Sequence, residues 1–365
     1  MPKTNHKKKT LAQLRRDIDL TDDQILKLLL KRAKIAQQTT RLKGNVVFDP
    51  KREREILKRL KSTNQGPIDS KGLEKIYKNI LSACREVQQP LRISYLGPGG
   101  SNTAEATTRI FGEQKNLLPQ DSISDVFVSV EREEADFGVV PIENSLEGPI
   151  GETLDRLTDT GVVIWDEVSQ NIEHCLLSKQ KDIKKIRRLY SHPQALAQSR
   201  LWVQKNLPTV QIVEAGSTSG AAVIAAKQKN GAAIAPSGCA ELYSLNLLKK
   251  NIQDEKNNTT IFILIKKQTT KNNTKAPYGP PLSLCSKVSI AFSLDHKPGA
   301  LYECLQPFRN AKINLTKIQS RPSKKLQWNY LFFIDFVVHG KHKEAIKCIE
   351  KLKKTTSYFK ILGAF

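Results

Sequence analysis

The stretch SYLGPGGSNTAEA (residues 94–106) decides how the middle of this chain is interpreted. A short apolar strand runs into a turn of glycine and proline, and the turn runs into a helical pattern. Such a junction directs backbone N–H groups, and here also hydroxyls, toward a bound anion. Glycine-rich turns between a strand and a helix are also common in plain packing, so this stretch alone leaves both interpretations open.

The same α/β pattern extends outward over residues 91–267. Short apolar strands are predicted at 93–96, 137–141, 189–191, 210–213, 232–235 and 261–265, and alanine-rich helical patterns separate them, which indicates sheets covered by helices. Polar residues follow several strands, in VVPIENSLEG (139–148), YSHPQALAQ (190–198) and EAGSTSGAA (214–222), or begin one, in NNTTIFILI (257–265). A cleft between two α/β lobes requires such residues. A lone histidine such as His192 is also a common helix cap.

Residues 10–89 follow a helical period instead. Apolar residues recur at spacings of three and four, and no Pro or Gly interrupts before Gly44. A helix over residues 10–43 would be about 50 Å long at 1.5 Å per residue. That length cannot be buried in a lone small domain, so we expect an intertwined homodimer or a higher homo-oligomer. Asp49 and Pro50 predict the start of a second helix, and Asp69 the start of a third.

The C-terminal part predicts a linker and a small domain. Residues 268–284 are polar, contain proline and lack periodicity, which is typical of a linker. Residues 285–365 read β-α-β-β-α-β, the order of a ferredoxin-like α+β domain. The sequence therefore predicts a multidomain protein: an all-α domain (1–90), a two-lobed α/β domain (91–267), a linker (268–284) and an α+β domain (285–365).

The composition indicates an ordinary soluble protein. The 365 residues are 39% hydrophobic, and no apolar stretch approaches the roughly 20 residues that span a bilayer. The basic N-terminus leads into an amphipathic pattern rather than a signal peptide, so we expect a cytoplasmic protein without a membrane partner. The six cysteines are scattered without metal-ligand spacing, so we expect reduced thiols and no metal.

The net charge of +23 permits nucleic-acid binding. The lysines are spread along the whole chain, however, and no basic tract is interleaved with aromatic residues. We therefore expect a generic basic surface, which also suits anionic small substrates, and no nucleic-acid partner. A nucleic-acid binder remains the alternative of a different class.

Polar residues in the helical part are candidates for a site: Arg15, Arg32, Lys43, Asp49, Arg52, Glu53, Cys84 and Gln88. Arg32 and Lys43 lie eleven positions apart, so they are within about 20° of each other on a 3.6-residue helix, whereas Arg15 faces another direction. Asp49, Arg52 and Glu53 share one face. A solvated face with ion pairs is the plain interpretation. Several cations directed into a helix bundle are costly without anions, so a pocket for a polycarboxylate is the alternative.

The motifs L-R-R-D-I-D (14–19), K-R (31–32), D-P-K-R-E (49–53) and C-x-x-x-Q (84–88) resemble the all-helical chorismate mutase family. The resemblance implies that Arg32 and, from the partner subunit, Arg15 hold the two carboxylates of chorismate. The remaining implied contacts are to the ether oxygen from Lys43 and Gln88, to the hydroxyl from Glu53, and supporting ones from Asp49, Arg52 and Cys84. A Claisen rearrangement moves no proton, so such a site must select the compact conformer and stabilise charge on the ether oxygen.

Residues 91–267 carry, in order, G-P-x-G, P-I-E-N-S, S-H-P-Q-A-L, an S-T turn, A-E-L-Y, N-I-Q-D and N-x-T before an apolar strand. The series resembles prephenate dehydratases. It implies a two-lobed fold like that of periplasmic binding proteins, and decarboxylative dehydration of prephenate to phenylpyruvate. By that resemblance Thr260 is the catalytic hydroxyl, and the other residues of the site are Ser101, Thr103, Asn144, Ser145, His192, Ser217 and Thr218.

The start of the last strand departs from the family. Prephenate dehydratases read T-R-F there, and this chain reads Thr260-Ile261-Phe262. Because side chains alternate faces along a strand, Thr260 and Phe262 should point one way and Ile261 the other. We therefore expect Thr260 to face the substrate. The plain alternative is that Thr259 and Thr260 are only the polar beginning of a buried strand.

G-A-L (299–301) and Q-S-R-P (319–322) resemble the ACT regulatory domain of prephenate dehydratases. The resemblance implies L-phenylalanine binding at an interface between two such domains, by Gly299, Ala300, Leu301, Gln319, Ser320, Arg321 and Pro322. From spacing alone, plain fold chemistry is the alternative. The three resemblances together imply a bifunctional chorismate mutase/prephenate dehydratase, inhibited by L-phenylalanine and free of cofactors. The alternative is a phenylalanine-sensing chorismate mutase whose dehydratase domain only binds ligand.

Overall fold

The computed structural model describes residues 9–43, 48–112, 116–255, 257–268, 285–295, 297–322 and 330–365, without the side chains of residues 40–43. Most of the predicted linker and the side chain of Lys43 therefore lie outside the description. The chain forms two compact units, residues 1–91 with 111–115 and residues 92–110 with 116–365. Within the described ranges, no helix is long and apolar enough to cross a membrane.

The first unit is helical, as predicted, with α1 (Leu11–Lys43), α2 (Pro50–Thr63) and α3 (Ser70–Gln88) in its described part. The Asp49 side chain accepts a hydrogen bond from the Arg52 backbone N–H, and Pro50 takes the first helical position. Asp69 caps α3 through the backbone N–H of Gly72. These caps satisfy N–H groups that have no partner inside the helix, which explains why the helices begin where the sequence predicted.

Helix α1 carries an apolar stripe that the chain itself leaves uncovered. Leu11, Leu14, Ile18, Ile25 and Leu28 are between 46% and 66% exposed. Isolated apolar residues at a surface are ordinary, but a continuous apolar stripe usually marks a contact with another molecule.

Strands and helices alternate through the rest of the chain. In order they are β1 (Ile93–Leu96), α4 (Asn102–Phe111), β2 (Leu117–Gln120), α5 (Ile123–Glu131), β3 (Phe137–Asn144), β4 (Gly148–Pro149), α6 (Gly151–Asp159), β5 (Val162–Asn171), β6 (Cys175–Ser178), β7 (Arg188–Ser191), α7 (Pro193–Ala197), α8 (Arg200–Asn206), β8 (Gln211–Glu214), α9 (Thr218–Ala226), β9 (Gly231–Ala235), α10 (Gly238–Leu242), β10 (Asn246–Lys249), β11 (Thr259–Lys267), β12 (Lys287–Ser293), α11 (Ala300–Asn310), β13 (Leu315–Pro322), β14 (Tyr330–Val337), α12 (His342–Thr355) and β15 (Tyr358–Ala364).

Two sheets form the α/β part. The strands β5-β11-β3-β1-β2 are neighbours in one sheet, and β10-β6-β9-β7-β8 form the other. Val126 of α5, Val140 and Ile263 belong to the apolar core of the first sheet. Leu177 and Ala222 belong to a core of the second. Each sheet thus has its own core, as the predicted two lobes require, and the polar strand ends remain available between them.

The C-terminal segment has the element order of the predicted ferredoxin-like domain, and its sheet order is β13-β14-β12-β15. The segment is also joined to the rest of its unit, because β15 pairs in parallel with β5 at Gly363 and Ile164. A Cβ atom at Gly363 would collide with the backbone carbonyl of Ile164, so the close approach requires glycine. Phe333 and Leu362 share the apolar core of the first sheet. Sheet and core therefore both continue past residue 285.

Candidate active sites

A cavity of about 320 Å³ lies among the three helices of the first unit. It is lined by Arg32, Ile35, Ala36, Thr39, Asp49, Arg52, Glu53, Ile56, Leu81, Cys84, Arg85 and Gln88. Six of the eight predicted residues are therefore brought together. Of the other two, Arg15 is exposed on α1 and does not line the cavity, and the side chain of Lys43 lies outside the description.

Arg85 lines this cavity although it was not singled out from the sequence. It is only 4% exposed and forms an ion pair with Glu53. Its guanidinium also donates to the backbone carbonyl of Phe111 and lies 4.9 Å from the centre of the Phe48 ring. Burial raises the pKa of the Glu53 carboxyl, and the Arg85 guanidinium opposes that shift. The available signal was its place between Cys84 and Gln88 on α3.

Other predicted side chains of this cavity also stabilise the helices, one by joining two of them and one by capping a helix. The Gln88 side-chain Nε2 donates to the Ala36 carbonyl at 2.8 Å, which ties α3 to α1. Asp49 serves as the cap of α2. The cavity thus combines three arginines with two carboxylates. That balance attracts an anionic ligand and leaves carboxylate oxygens to accept hydrogen bonds from its hydroxyl.

A cavity of about 230 Å³ lies in the second unit. Polar side chains dominate its lining, which consists of Asn102, Asn144, Ile172, His174, His192, Gln194, Ala195, Gln198, Gly216, Ser217, Thr218, Asn258 and Thr260. Asn144 ends β3 in the first sheet, and Thr260 follows the first residue of β11. His192 and Ser217 follow β7 and β8 in the second sheet and cap α7 and α9. Both sheets therefore contribute, as a site between lobes requires.

Five of the eight predicted residues line this cavity: Asn144, His192, Ser217, Thr218 and Thr260. The other three do not. The Ser101 hydroxyl donates to the Leu96 carbonyl at 3.1 Å and so shapes the glycine turn. Thr103 is only 4% exposed in α4, and Ser145 accepts from the Thr259 backbone N–H at 2.9 Å. The Ser101 and Ser145 hydroxyls stabilise the loops around the cavity. Asn102 takes the lining position between Ser101 and Thr103.

Thr260 has a defined partner on the neighbouring strand. It lies opposite Asn144 in the β11–β3 register, and the Asn144 side-chain Nδ2 donates to the Thr260 hydroxyl oxygen at 2.9 Å. Ile261, the next residue, packs against the apolar cluster that contains Ile263 and Ile265. The predicted alternation of faces along β11 is thus present. The register shift beside it places the additional residue, Ile142, on β3 rather than on β11.

Among the lining side chains that the sequence analysis did not single out, three form a hydrogen-bonded group. The Asn258 Nδ2 donates to the Gln198 Oε1 at 3.0 Å, and the His174 Nε2 lies 2.8 Å from the same oxygen. Asn258 lies two positions before Thr260, so the strand period could have placed both on one face. Gln198 ends a polar motif, but nothing in the local sequence marks His174. Within the described ranges, no group of three or more His, Cys, Asp or Glu side chains is placed to hold a metal ion.

A helical cavity rich in arginines and carboxylates and a separate α/β cavity of amides, hydroxyls and imidazoles are two candidate active sites, as expected of a bifunctional enzyme. The family model of chorismate mutase type II matches residues 14–89, and that of prephenate dehydratase matches residues 93–270. The bifunctional chorismate mutase/prephenate dehydratases of Aquifex aeolicus and Pseudomonas aeruginosa are 40% and 38% identical to this chain, each over 97% of both chains.

A solved structure agrees with these relatives. The prephenate dehydratase of Arthrobacter aurescens, in complex with L-Phe, matches with a TM-score of 0.65 at 28% identity, and the match covers 75% of this chain and 89% of that one. This chain belongs to the bifunctional chorismate mutase/prephenate dehydratase family and is an enzyme with both activities. The alternative of a dehydratase domain without turnover has no support among these relatives.

Proposed function

We propose that chorismate rearranges to prephenate in the helical cavity and that prephenate is converted to phenylpyruvate in the α/β cavity. The observation that carries the second assignment is the hydrogen-bond arrangement at Thr260. Its oxygen accepts from Asn144, and no described residue accepts its hydroxyl hydrogen. That hydrogen is therefore available to a substrate oxygen in the cavity.

In the helical cavity, Arg32 holds one carboxylate of chorismate and Arg15 of the partner subunit holds the other. The proposed remaining contacts are those of Lys43 and Gln88 to the ether oxygen, of Glu53 to the hydroxyl, and of Asp49, Arg52 and Cys84 in support. The charge balance of the lining supports this assignment, because three arginines face two carboxylates there. The rearrangement needs no proton transfer, so a rigid arrangement of fixed charges and donors is sufficient for catalysis.

A homodimer completes the helical site. Arg15 is exposed on α1 and distant in sequence from the cavity residues of its own chain. The uncovered apolar stripe of α1 supplies the surface for a second subunit. Pairing of two α1 helices would bury this stripe and bring one Arg15 toward the other subunit's cavity.

In the α/β cavity, Thr260 donates a hydrogen bond to the departing hydroxyl group of prephenate. Asn144 orients the Thr260 hydroxyl. His192, Ser217 and Thr218 bind the substrate from the second sheet, and Ser101, Thr103 and Ser145 support the surrounding loops. The ring becomes aromatic as carbon dioxide and hydroxide leave, so assistance to the leaving oxygen is the main task. Threonine is a weak acid but a well-placed donor.

Reciprocal single variants test the two locations. Arg32→Ala should abolish the conversion of chorismate to prephenate and leave prephenate dehydration unchanged, and Asn144→Ala should do the reverse. Both activities are measured on the same purified protein, so the activity that each variant retains is the control for its own folding. Loss of both activities in a folded Arg32→Ala protein, or a fully active Asn144→Ala dehydratase, would refute the assignment.

The C-terminal segment is the proposed regulatory ACT domain, from residue 285 to 365, which binds L-phenylalanine through the G-A-L and Q-S-R-P motifs. Gly299 adopts a φ of +80° at the N-cap of α11, which glycine tolerates best. The Gln319 side-chain oxygen is buried without a partner among the described residues, so it can accept from an ammonium group. The Lys317 ammonium lies 2.6 Å from the Glu143 carboxylate, directly beside Asn144 in sequence.

The regulatory proposal is tested with point variants, because truncation would expose the core that Phe333 and Leu362 share with the dehydratase. Gln319→Ala should raise the L-phenylalanine concentration for half-inhibition by about tenfold, as expected for one lost charge-assisted hydrogen bond. Thr316→Ala, on the exposed face of the same strand, is the matched control. Equal inhibition of Gln319→Ala and the unaltered enzyme would show that the effector binds elsewhere.

A further inference from the structure

The side-chain hydrogen bonds of the α/β cavity have directions that the structure fixes. The Asn144 Oδ1 accepts from the backbone N–H groups of Leu146 and Glu147, at 3.0 and 3.2 Å. Only an oxygen can accept two N–H donors, so the orientation of the Asn144 amide is settled by the backbone. Its Nδ2 is therefore the donor to Asn258 at 2.7 Å and to Thr260 at 2.9 Å.

The same reasoning continues along the network. The Asn258 Oδ1 accepts from Asn144, so the Asn258 Nδ2 must be the donor to the Gln198 Oε1. The Gln198 Oε1 carries no hydrogen, so the His174 Nε2 beside it must be protonated and donate. The network thus has one consistent polarity, from which the tautomer of His174 follows.

His174 is held firmly in this position. It is only 4% exposed. Its backbone N–H donates to the Gln253 side-chain oxygen at 3.0 Å, and its carbonyl accepts from the Ile252 N–H at 2.9 Å. Its Nδ1 is buried and has no partner among the described residues. Burial lowers the pKa of His174, although the hydrogen bond to Gln198 opposes the shift. Because burial disfavours the charged ring and Nδ1 has no described partner, the Nε2–H is the hydrogen that the imidazole donates.

Gln198 is left with its nitrogen uncommitted. Its oxygen takes both available donors, while its Nε2 has no partner among the described residues and Gln198 lines the cavity. If the amide turned over, its NH2 group would face the donors of Asn258 and His174 together. Two donor–donor contacts oppose that flip, and His174 provides one of them.

We propose that His174 is a positioning residue of the dehydratase: its Nε2–H locks the Gln198 amide so that the Gln198 NH2 group faces the cavity and donates to a carboxylate of prephenate. The inference rests on the proposed location of the dehydratase site. It assigns a specific task to a buried histidine whose imidazole has no other hydrogen-bond partner among the described residues than Gln198. A histidine with a purely structural role would affect stability without acting through Gln198.

A double-mutant cycle on the full-length enzyme tests this dependence. His174→Phe keeps a ring but removes the donor, and should raise the KM for prephenate about tenfold with little change in kcat. His174→Gln restores an NH2 group at the position of the imidazole Nε2, so its KM should be within about threefold of the unaltered enzyme. In a Gln198→Leu background, His174→Phe should change the KM by less than about twofold.

The cycle has an internal set of controls. Chorismate mutase activity and thermal unfolding report on folding of each variant. His342→Phe, in the C-terminal segment, removes another imidazole whose Nε2 is hydrogen-bonded, there to the Cys285 carbonyl, and should leave the KM unchanged. If His174→Phe does not fold, His174→Asn replaces it, because the shorter amide cannot reach Gln198.

The possible failures are distinguishable. If Asn144→Ala and Gln198→Leu both leave prephenate kinetics unchanged, the cavity is not the dehydratase site and the proposed location fails. If only Gln198→Leu leaves them unchanged, Gln198 does not bind prephenate, and the role of His174 is refuted while the location stands. If Gln198→Leu raises the KM but His174→Phe does not, only the role of His174 is refuted. If the two effects multiply in the double variant, or if His174→Gln is as impaired as His174→Phe, His174 does not act through Gln198.

Discussion

Replacement of Thr260 by alanine should lower the dehydratase kcat by about 100-fold or more. The Thr260 oxygen accepts from Asn144 at 2.9 Å, so its hydroxyl hydrogen is directed to another acceptor. In the proposed complex that acceptor is the oxygen of the departing hydroxide. Loss of a single fixed donor to developing negative charge typically costs about 100-fold to 1000-fold in rate, or about 2.7–4 kcal/mol.

The structure also predicts that the rest of the cavity survives this change. Asn144 keeps its hydrogen bond to Asn258 at 2.7 Å and both backbone contacts of its oxygen. Only one Asn144 N–H loses its acceptor, so the free energy of unfolding should fall by about 1–3 kcal/mol at most. The substrate KM should change little, because a contact made mainly in the transition state affects kcat and kcat/KM alike.

The assay is steady-state formation of phenylpyruvate from prephenate, with chorismate mutase activity of the same protein as the folding control. Thr260→Ser retains a hydroxyl and should keep most of the rate. Thr259→Ala should have a much smaller effect than Thr260→Ala, because the Thr259 hydroxyl bonds to Asn171 outside the cavity. A nearly normal kcat for Thr260→Ala would refute the assignment of Thr260 as the catalytic donor.

Three further outcomes are expected. Lys43→Ala should abolish mutase activity and spare prephenate dehydration, because Lys43 belongs to the helical unit. Loss of both activities in a folded protein would contradict this division. Ile261→Arg should change the dehydratase rate by less than about tenfold, since Ile261 packs against an apolar cluster rather than lining the cavity. A large gain in rate would show that residue 261 faces the cavity and that the face assigned to it is wrong. Burial lowers the pKa of His174, so the folded state binds its proton less readily than the unfolded chain. The His174 contribution to stability should be complete above the ordinary pKa of about 6.5 and should be lost as the pH falls below it. Denaturant unfolding between about pH 7.5 and about pH 5.5 should give a smaller pH dependence for His174→Gln than for the unaltered enzyme.

The helical boundaries and most strands of the structure could be predicted because local chemistry determines them. Asp49 and Asp69 satisfy the first N–H groups of α2 and α3, which places the helix starts within one residue. The predicted strands at 93–96, 137–141, 189–191, 210–213, 232–235 and 261–265 are all present, some of them up to four residues longer and one shifted by one residue.

The strands β2, β4, β5, β6 and β10 were not predicted, because their patterns are short or partly polar. Strand β5 reads VVIWDEVSQN, and its second half has no apolar alternation. Its neighbours β11 and β15 provide the hydrogen bonds instead. The pairing of β15 with β5 also lies beyond local prediction. The two strands are nearly two hundred positions apart, and only the folded sheet brings Gly363 beside Ile164.

For the candidate sites, the residues within motifs were predicted better than the residues between them. Eleven lining residues follow from the motifs, six in the helical cavity and five in the α/β cavity. Arg85 and His174 were not found, because each becomes informative only through a distant partner, Glu53 and Gln198 respectively. Domain boundaries, a cytoplasmic location and binding of L-phenylalanine stay predictions.

The sheet places the proposed regulatory segment near the proposed catalytic hydroxyl. Only β5 lies between β15 of the C-terminal segment and β11, which carries Thr260. A second connection runs from Lys317 on β13 to Glu143, and the adjacent Asn144 orients the Thr260 hydroxyl. An effector that displaces β13 would therefore act on Glu143. The next residue, Asn144, positions the Thr260 hydroxyl. Because inhibition requires different effector affinities in two states of the enzyme, Lys317→Met should weaken inhibition by L-phenylalanine if this contact distinguishes those states. Unchanged inhibition in that variant would exclude the Lys317–Glu143 contact as the connection and leave the shared sheet as the remaining route.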